Sequence, residues 1–325
     1  MRVLSGVQPT GTIHIGNYLG AIKQFLELQK KAECIFPIVD LHAITVPYQP
    51  EKLKNDVLSA AIAFLSVGID PEKSSIFVQS EIKEHAELCW LLSTVCPTGD
   101  LLRMTQYKEK SKQFKEAVNA GLLNYPILQA ADILLYQTDL VPVGKDQLQH
   151  LELSRTIARR FNKKFGKTFK EPKAQVPKMG AKIMALNDPK KKMSKSLGPQ
   201  FYLSLFEEPE MIKKKVMAAV TDTGKEIRYN LQKKPGISNL LTIYSLFSET
   251  PIKELEKKFK GKDYKEFKKS LAKLLIGSLE PFRKKQKELL KREVYVKEIL
   301  EKGRKRARVI AKSTIQDVKK KMGLI

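Results

Sequence analysis

Residues 2–17 read RVLSGVQPTGTIHIGN, and a periodic apolar pattern typical of a helix begins directly after them. The run 2–6 fits a strand, and the turn that follows is rich in small residues. Such a turn between a strand and a helix lets phosphates approach the N–H groups at the helix N-terminus, with His14 as a candidate donor. A lone histidine beside a glycine is more often structural, so this segment alone leaves both interpretations open.

Similar apolar runs recur along the chain at 34–40, 75–79, 139–144 and 182–186. Between them, apolar residues at spacings of three and four indicate helices. Strands that alternate with helices predict an α/β fold with a doubly wound, Rossmann-like parallel sheet. The strands are apolar throughout, as expected for a sheet that is covered on both faces.

The second part of the chain lacks strand patterns. A loop rich in Lys, Met and Ser at 189–199 precedes it, and after about residue 197 only helical periodicity remains. We therefore predict two domains, an α/β domain at 1–196 and a helical domain at 197–325. A chain of 325 residues is long enough for both.

Positive charge dominates the composition. Lys and Arg number 60 against 35 Asp and Glu, a net of +25, and residues 251–325 alone hold 25 against 10, a net of +15. The run 303–308 contains four of these basic residues. The excess favours a polyanionic partner such as a nucleic acid, but a lysine-rich solvated surface explains it equally well.

Two classes of protein are disfavoured by what the sequence lacks. No run of 18 apolar residues is present, which predicts a cytoplasmic protein that does not enter a membrane. The three cysteines, Cys34, Cys89 and Cys96, form no CxxC pair, so they predict buried thiols and no metal site.

Residues 192–196 read KMSKS and follow the last predicted strand. Two lysines three residues apart on a loop could hold a triphosphate while pyrophosphate departs. Lys190 and Lys191 extend the run, and a solvated charged loop is the alternative. The position of this run after the turn at 8–17 and before a basic helical part favours the first interpretation.

The helical pattern at 125–136, YPILQAADILLY, carries Asp132 on a mostly apolar stretch. A buried carboxylate is costly without a partner. An indole offers a single polar N–H group, which a carboxylate at the end of an apolar pocket would accept. A phenol hydroxyl would be accepted equally well, and a helix cap or a structural ion pair is the alternative. The chemistry alone leaves tryptophan and tyrosine both open.

The two short motifs together resemble the signatures of the class I aminoacyl-tRNA synthetases. The turn that ends in His14-Ile15-Gly16-Asn17 resembles their HIGH motif, with Asn17 at the place of its last histidine, and residues 192–196 resemble their KMSKS motif. Longer stretches look like the bacterial tryptophanyl branch of this family, at 39–45, 103–110, 141–147, 219–222 and 235–241.

This resemblance implies activation of L-tryptophan by ATP with Mg²⁺, transfer to tRNA(Trp), and a homodimer whose helical domain binds the anticodon. It implies catalytic roles for His14, Asn17, Lys110, Lys192 and Lys195. It implies ATP contacts from Gln8, Pro9, Thr10, Gly16, Asn17, Gly144, Lys145, Asp146, Gln147, Ile183, Lys192, Met193, Ser194, Lys195 and Ser196. It implies a tryptophan pocket made of Leu4, Gly6, His42, Tyr125, Gln129, Asp132 and Val143. No general base is needed, because the carboxylate of the amino acid is already the nucleophile.

Three positions depart from the pattern of that family. Gln129 stands where many members have Met against the indole, Leu4 replaces an aromatic residue found in some, and Lys145 replaces a usual acidic residue. Gln129 could hydrogen-bond the ligand or Asp132. The alternatives are a tyrosyl-tRNA synthetase and a non-catalytic RNA-binding protein descended from a synthetase, whose signatures would have decayed.

Overall fold

The structure is a computed structural model that describes residues 1–9, 12–114, 116, 118–176 and 182–325, apart from the side chains of Lys145 and Ser196. The chain forms two compact units. The first unit comprises Met1–Gly11, Phe25–Lys178 and Arg292–Ile325, and the second comprises Thr12–Gln24 and Met179–Lys291. Each unit therefore contains segments from distant parts of the chain.

Among the described residues, five parallel strands form one sheet in the first unit. In chain order they are β1 (Arg2–Leu4), β2 (Glu33–Ile38), β3 (Ser74–Val78), β4 (Leu140–Pro142) and β5 (Lys173–Gln175). Their order across the sheet is β3-β2-β1-β4-β5, so the chain moves outward from β1 on one side and then continues on the other. This is the doubly wound, Rossmann-like order that the sequence predicts, with a topological switch point between β1 and β4.

Helices make up most of the remaining chain in both units. Within the described ranges they are α1 (Ile15–Asn17), α2 (Lys23–Leu28), α3 (Asp40–Ala43), α4 (Pro50–Ser66), α5 (Glu84–Ser93), α6 (Thr98–Leu102), α7 (Thr105–Gln113), α8 (Ala120–Leu135), α9 (Leu148–Phe165), α10 (Pro209–Ala218), α11 (Pro235–Ser248), α12 (Ile252–Lys258), α13 (Tyr264–Leu290) and α14 (Glu293–Lys321). A π-helical turn, Tyr18–Ile22, joins α1 to α2. None of these helices, as far as the structure describes them, has the length and apolar character needed to cross a membrane.

Helix α8 is buried along almost its whole length. It lies in a cluster with Leu4 of β1, Ile35 of β2 and Phe77 of β3. A helix that is apolar on all sides is a core element. Its one acidic residue, Asp132, is therefore carried into the core, where it needs hydrogen-bond partners.

The prediction of a sheet strand at 182–186 is wrong. The fifth strand is β5, a short strand of sequence KAQ that is not fully buried, whereas residues 183–185 pair antiparallel with 191–193 in the second unit. Because β5 lies at the edge of the sheet beside β4, it does not need an apolar run. The pattern that identifies buried strands could therefore not reveal it.

Helix α14 belongs to the first unit, although the boundary predicted at residue 196 separates it from the α/β domain. It packs directly on β3, since a Cβ atom at Gly303 would lie 2.0 Å from the carbonyl oxygen of Ile76. This contact depends on a single glycine, which helical periodicity does not single out. The two compact units thus do not coincide with the two domains predicted on either side of residue 196. The anticodon-binding role of 197–325 stays a prediction.

Part of the basic run at 303–308 has partners inside the first unit. The guanidinium group of Arg306 donates to the carbonyl oxygen of Ser74 at 3.0 Å. The Nε atom of Arg308 lies 3.4 Å from the carboxylate of Glu84. These cations help to hold α14 on the sheet. The positive charge of this run therefore has a structural role in addition to any binding of a polyanion.

In the second unit, Asp222 caps helix α11. Its carboxylate accepts the N–H groups of Gly236 at 3.1 Å and Ile237 at 2.9 Å. A Cβ atom at Gly236 would lie 2.7 Å from the carbonyl oxygen of Val220. The stretches 219–222 and 235–241 therefore contact each other. The helix cap explains Asp222, and the close packing explains Gly236.

Candidate active site

The carboxyl ends of β1, β2 and β4 carry residues of the predicted tryptophan pocket. Leu4 ends β1 and Gly6 follows it, His42 lies in α3 directly after β2, and Val143 follows β4. Ligands of doubly wound sheets bind beyond these ends, at the switch point. A Cβ atom at Gly6 would lie 2.9 Å from a methyl carbon of Val39, which explains the glycine. The fold brings these residues to one edge of the sheet.

Asp132 accepts several hydrogen bonds in the buried core beside this edge. Its Oδ1 atom accepts from Nε2 of Gln79 at 2.7 Å and from Nδ1 of His85 at 2.7 Å. Its Oδ2 atom lies 2.9 Å from Nε2 of His42. A carboxylate oxygen has room for about two donors. Oδ2 can therefore accept one further hydrogen bond.

This network keeps Asp132 charged. Burial acts to raise its pKa, but the hydrogen bonds from His42 and His85 lower the pKa of Asp132 to about 2. A charged Asp132 requires a proton on Nδ1 of His85, and Nε2 of the same ring lies 2.7 Å from the hydroxyl of Tyr136. Sequence reasoning identified Asp132 and His42 but missed Gln79, His85 and Tyr136. The need of a buried carboxylate for partners was the available signal.

Tyr125 and Lys110, both predicted site residues, lie together in the first unit. The ammonium nitrogen of Lys110 is 4.8 Å from the centre of the Tyr125 ring, and burial lowers the pKa of Lys110. The hydroxyl of Tyr125 lies 2.8 Å from Nε2 of His150. Burial, followed by the charge of Lys110, lowers the pKa of His150 to about 4. His150 is therefore uncharged at neutral pH and anchors the Tyr125 hydroxyl.

Gln129 contacts Gln147 and makes no hydrogen bond to Asp132 among the described residues. Its Nε2 atom donates to Oε1 of Gln147 at 3.3 Å, and Nε2 of Gln147 donates to Asp146 at 3.0 Å. A Cβ atom at Gly144 would lie 2.6 Å from Oδ1 of Asp146, so a larger residue here would have to displace the Asp146 side chain. Gln129, a residue of the predicted tryptophan pocket, is thus hydrogen-bonded to Gln147, which is a predicted ATP contact.

The HIGH-like turn lies in the second unit and forms a helix cap. Nδ1 of His14, the N-cap of α1, accepts the N–H of Asn17 at 3.2 Å, and Oδ1 of Asn17 accepts the N–H of His14 at 3.1 Å. This reciprocal pair is a capping box, which gives asparagine at position 17 a structural reason. Because Nδ1 accepts, the proton of the uncharged ring lies on Nε2, which can donate to an anion.

The KMSKS segment begins as one side of a hairpin. The N–H of Met193 donates to the carbonyl oxygen of Ile183 at 3.0 Å, and Met184 pairs antiparallel with Lys192. A 3₁₀ turn follows at Lys195–Leu197. The hairpin thus buries Met193 while Lys192 beside it stays exposed.

Backbone pairing ties the HIGH-like turn into the same unit. Residues 13–15 pair antiparallel with 203–205, with the N–H of Ile15 donating to Leu203 at 2.9 Å. A Cβ atom at Gly16 would lie 3.0 Å from the His14 ring and 3.6 Å from Cβ of Met193. Two motifs about 180 residues apart in the sequence are therefore neighbours in one compact unit.

The electrostatics of His14 reflect this proximity. Burial, then the charges of Lys195 and Lys192, lowers the pKa of His14 to about 4. His14 is uncharged at neutral pH and keeps one N–H donor beside two ammonium groups. One donor and two cations suit a polyphosphate on which negative charge increases during reaction.

We expect His14→Ala to lower kcat of the reaction at this site by about 10²-fold, as for the loss of one donor to a developing anion. His14→Gln should retain more activity, because the amide nitrogen of Gln can replace Nε2. Since the pKa of His14 is about 4, the wild-type to variant ratio should stay constant from pH 6 to pH 8 in steady-state rate measurements. A ratio that titrates near pH 6.5 would contradict this.

The remaining predicted residues divide between the two units. Gln8, Pro9, Gly144, Asp146 and Gln147 belong to the first unit, and Gly16, Ile183, Met193 and Ser194 belong to the second. Thr10 and the side chains of Lys145 and Ser196 lie outside the described residues.

Comparison with known proteins places the chain in a family. A profile described as "tRNA synthetases class I (W and Y)" matches residues 1–280. The chain is 51% identical over 325 residues to the tryptophan–tRNA ligase of Caldanaerobacter subterraneus subsp. tengcongensis, covering 100% of this chain and 98% of that protein. It is 49% identical over 323 residues to the tryptophan–tRNA ligase of Bacillus subtilis, covering 99% and 97%.

A solved structure agrees with these relatives. The tryptophanyl-tRNA synthetase from Campylobacter jejuni, complexed with ADP and tryptophan, matches with a TM-score of 0.87 and 41% identity over 100% of both chains. The chain therefore belongs to the class I tRNA synthetases for tryptophan and tyrosine, on the branch of the tryptophan–tRNA ligases.

Proposed function

We propose that this chain is a tryptophan–tRNA ligase, which activates L-tryptophan with ATP to tryptophanyl-adenylate and pyrophosphate and then transfers the tryptophanyl group to tRNA(Trp). The observation that supports the reaction type is the closeness of the HIGH-like turn to the KMSKS segment, since a Cβ atom at Gly16 would lie 3.6 Å from Cβ of Met193, the residue next to Lys192. In this proposal His14, Lys192 and Lys195 bind the phosphates and stabilise the charge of the departing pyrophosphate. The carboxylate of tryptophan attacks the α-phosphorus, so positioning and charge stabilisation supply the catalysis.

The proposed roles of the other residues rest on the family resemblance. In the second unit it assigns ATP contacts to Ser194, Gly16 and Ile183. In the first unit it assigns ATP contacts to Gln8, Pro9, Gly144, Asp146 and Gln147, and a phosphate contact to Lys110. Tyr125, Leu4, Gly6 and Val143 would line the apolar part of the amino-acid pocket.

Asp132 is the proposed acceptor of the indole N–H group. The available position on its Oδ2 atom supports this role, since His42 occupies only one of two acceptor sites. Phenylalanine has no polar group to donate there, so it would leave the second acceptor position of Oδ2 unfilled and lose the hydrogen bond that tryptophan makes. A tyrosine hydroxyl would fit the same chemistry, but the relatives about half identical to this chain are tryptophan–tRNA ligases.

The direct test is ATP–pyrophosphate exchange by the purified protein with tryptophan, tyrosine and phenylalanine in parallel reactions. We expect exchange with tryptophan and at least about 10³-fold lower kcat/KM with phenylalanine. Exchange with tyrosine in place of tryptophan would assign the chain to the sister branch. A folded protein that catalyses exchange with none of the three amino acids would favour the alternative of a non-catalytic RNA-binding protein.

Mg²⁺ enters this proposal as the counter-ion of ATP. No group of three or more His, Cys, Asp or Glu side chains is placed to hold a metal ion in the described ranges. The residues present nevertheless fit Mg²⁺, because this ion keeps several waters and binds through phosphate oxygens. Its chemistry would be charge neutralisation on the phosphates beside Lys192 and Lys195.

A basic cleft in the second unit supports the proposed binding of tRNA. The cleft has a volume of about 620 Å³ and also contains two acidic side chains, Glu226 and Glu256. Six cationic side chains line it, namely Lys225, Arg228, Lys253, Lys257, Lys260 and Lys262. Glu256 accepts the backbone N–H of Tyr229 at 2.6 Å. Six cationic side chains against two carboxylates leave the cleft with a net positive charge, which suits the phosphates of an RNA strand.

We expect the double change Lys257→Glu and Lys260→Glu to weaken tRNA(Trp) binding at least 10-fold at low salt, and to lower the slope of log K against log salt by about one or more. Lys269→Glu with Lys273→Glu makes the same charge change on α13 outside the cleft. Filter binding at several salt concentrations measures both. An equal loss in the two variants would show that net charge, and not the cleft, attracts the RNA.

We also propose that the protein works as a homodimer in the cytoplasm, on the resemblance to its family. Light scattering after gel filtration should give twice the 37.0 kDa of one chain. A mass of one chain at micromolar concentration would contradict the dimer.

A further inference from the structure

The backbone of Met184 needs partners outside the KMSKS hairpin. In antiparallel pairs, residues that exchange hydrogen bonds alternate with residues that do not. The bonds on either side of Met184 are made by Ala185, which donates to Lys191 at 2.8 Å, and by Ile183, which accepts from Met193 at 3.0 Å. Met184 therefore directs its own N–H and C=O groups away from Lys192. Buried groups of this kind must be satisfied elsewhere.

The side chain of Asn239 satisfies both groups. Its Oδ1 atom accepts the N–H of Met184 at 2.9 Å, and its Nδ2 atom donates to the carbonyl oxygen of Met184 at 3.0 Å. Asn239 is only 5% exposed, so bulk water does not compete for these bonds. The carboxamide acts as the peptide group of an adjacent strand would act.

The helix that carries Asn239 is itself held in place. Asp222 caps the first turn of α11 through the N–H groups of Gly236 and Ile237, and Leu240 and Leu241 next to Asn239 are buried. A fixed helix thus holds one edge of the hairpin, and Lys192 lies on the strand opposite.

We infer that Asn239 is a positioning residue for the reaction, which sets the register of the KMSKS hairpin and so the place from which Lys192 reaches the phosphates. The inference rests on the proposed activation of tryptophan. An uncharged carboxamide carries one acceptor and a donor at the required spacing, whereas a carboxylate lacks the donor and leucine lacks both.

Hydrogen exchange tests the contact independently of activity. In the Asn239→Leu variant, peptides that contain Met184 should exchange at least about 10-fold faster than in the wild type, because the amide loses its acceptor. The control is Ser238→Ala, which removes the bond from the N–H of Asn230 to Ser238 Oγ at 2.8 Å on the same helix. Equal protection of Met184 in both variants would overturn the inference.

Kinetics test the consequence. Asn239→Leu should lower kcat of tryptophan-dependent exchange by about 10- to 100-fold, with the KM for tryptophan changed less than 2-fold, since the proposed tryptophan pocket is in the first unit. Ser238→Ala should keep kcat within about 3-fold. A loss of the same size in both variants, or a large rise in the KM for tryptophan, would indicate general damage.

Asn239→Asp adds a pH signature. Only the protonated form of the introduced carboxyl group has a donor for the Met184 carbonyl, and burial at this position, which is 5% exposed in the wild type, raises the pKa of a carboxyl group. The activity of this variant relative to wild type should therefore rise as pH falls from 8 to 5. The relative activity of Asn239→Leu should stay flat. A flat ratio for both variants would contradict the proposed donor. Absence of tryptophan-dependent ATP–pyrophosphate exchange in the wild type would refute the proposed function. The protection of the Met184 amide from hydrogen exchange would still test the contact with Asn239.

Discussion

Asp132→Ala is expected to lower kcat/KM for tryptophan by at least about 10³-fold. The change removes the proposed acceptor of the indole N–H and leaves the donors on Gln79, His42 and His85 without a partner in the core. Steady-state ATP–pyrophosphate exchange measures the loss. Retention of kcat/KM within about 10-fold would exclude Asp132 as the acceptor.

Part of such a loss can come from a smaller fraction of folded enzyme and not from the lost hydrogen bond. The ratio of kcat/KM for tryptophan to kcat/KM for phenylalanine separates these two causes. The preference for tryptophan over phenylalanine does not depend on how much enzyme is folded. We expect this preference to fall from at least about 10³-fold to the level that apolar contacts alone provide, about 10- to 200-fold. Asp139→Ala is the matched control, because Asp139 is a partly exposed carboxylate that binds Lys170 at 3.2 Å away from the pocket.

The acid limb of the pH profile should not come from Asp132. Its pKa is about 2 in the folded protein, so the carboxylate stays charged from pH 5 to pH 8. A group with a lowered pKa favours the folded state above its unfolded pKa and loses that contribution as pH falls toward the folded value. Acid loss of stability through Asp132 is therefore expected only below about pH 4.

Gly303→Ala should destabilise the protein by about 3 kcal/mol, at the upper end of the range for overpacking. The new Cβ atom would lie 2.0 Å from the carbonyl oxygen of Ile76 and 2.9 Å from its nitrogen. Both are backbone atoms of β3, so no side-chain rotation relieves the clash. Helix α14 must move away from the sheet, which weakens the contacts of Arg306 and Arg308 as well.

The control for this prediction is another helical glycine. A Cβ atom at Gly277, in α13, would meet nothing within 4 Å. Gly277→Ala should therefore stabilise the protein by about 0.5–1 kcal/mol through the lower entropy of its unfolded chain. Thermal unfolding followed by circular dichroism should show opposite shifts in Tm. A Tm for Gly303→Ala equal to that of the wild type would refute the tight contact between α14 and β3.

The strands and the chemistry of the site could be predicted because both have short-range signatures. Four apolar runs became β1 to β4, since strands buried on both faces must be apolar wherever they occur. His14 and Lys192 were identified because phosphate chemistry requires donors and cations of these types on loop or capping segments. Asn17 was carried over by resemblance alone, and its capping bond to His14 supplies a local reason that the sequence already contained.

Other features could not be predicted, because they depend on partners distant in the chain. Strand β5 is polar because it lies at the sheet edge, and no periodicity indicates an edge. Of the two partners proposed for Gln129, Asp132 is not bonded to it among the described residues; Gln129 bonds Gln147 instead, which is a matter of relative side-chain placement. Glycines at 277 and 303 look alike in the sequence and differ only in what lies opposite them.

The sequence by itself therefore determined the α/β fold class, and it identified the HIGH-like turn, the KMSKS segment and Asp132 as candidates for the site, since each depends on residue types at short spacing. Only the tertiary structure decided that the HIGH-like turn and the KMSKS hairpin share one compact unit, that α14 packs on the sheet, that Gln79 and His85 hydrogen-bond Asp132, and that Asn239 holds the backbone of Met184. The physical reason is that hydrogen bonds and close contacts between segments 40 to 230 residues apart are set by the packing of the whole chain.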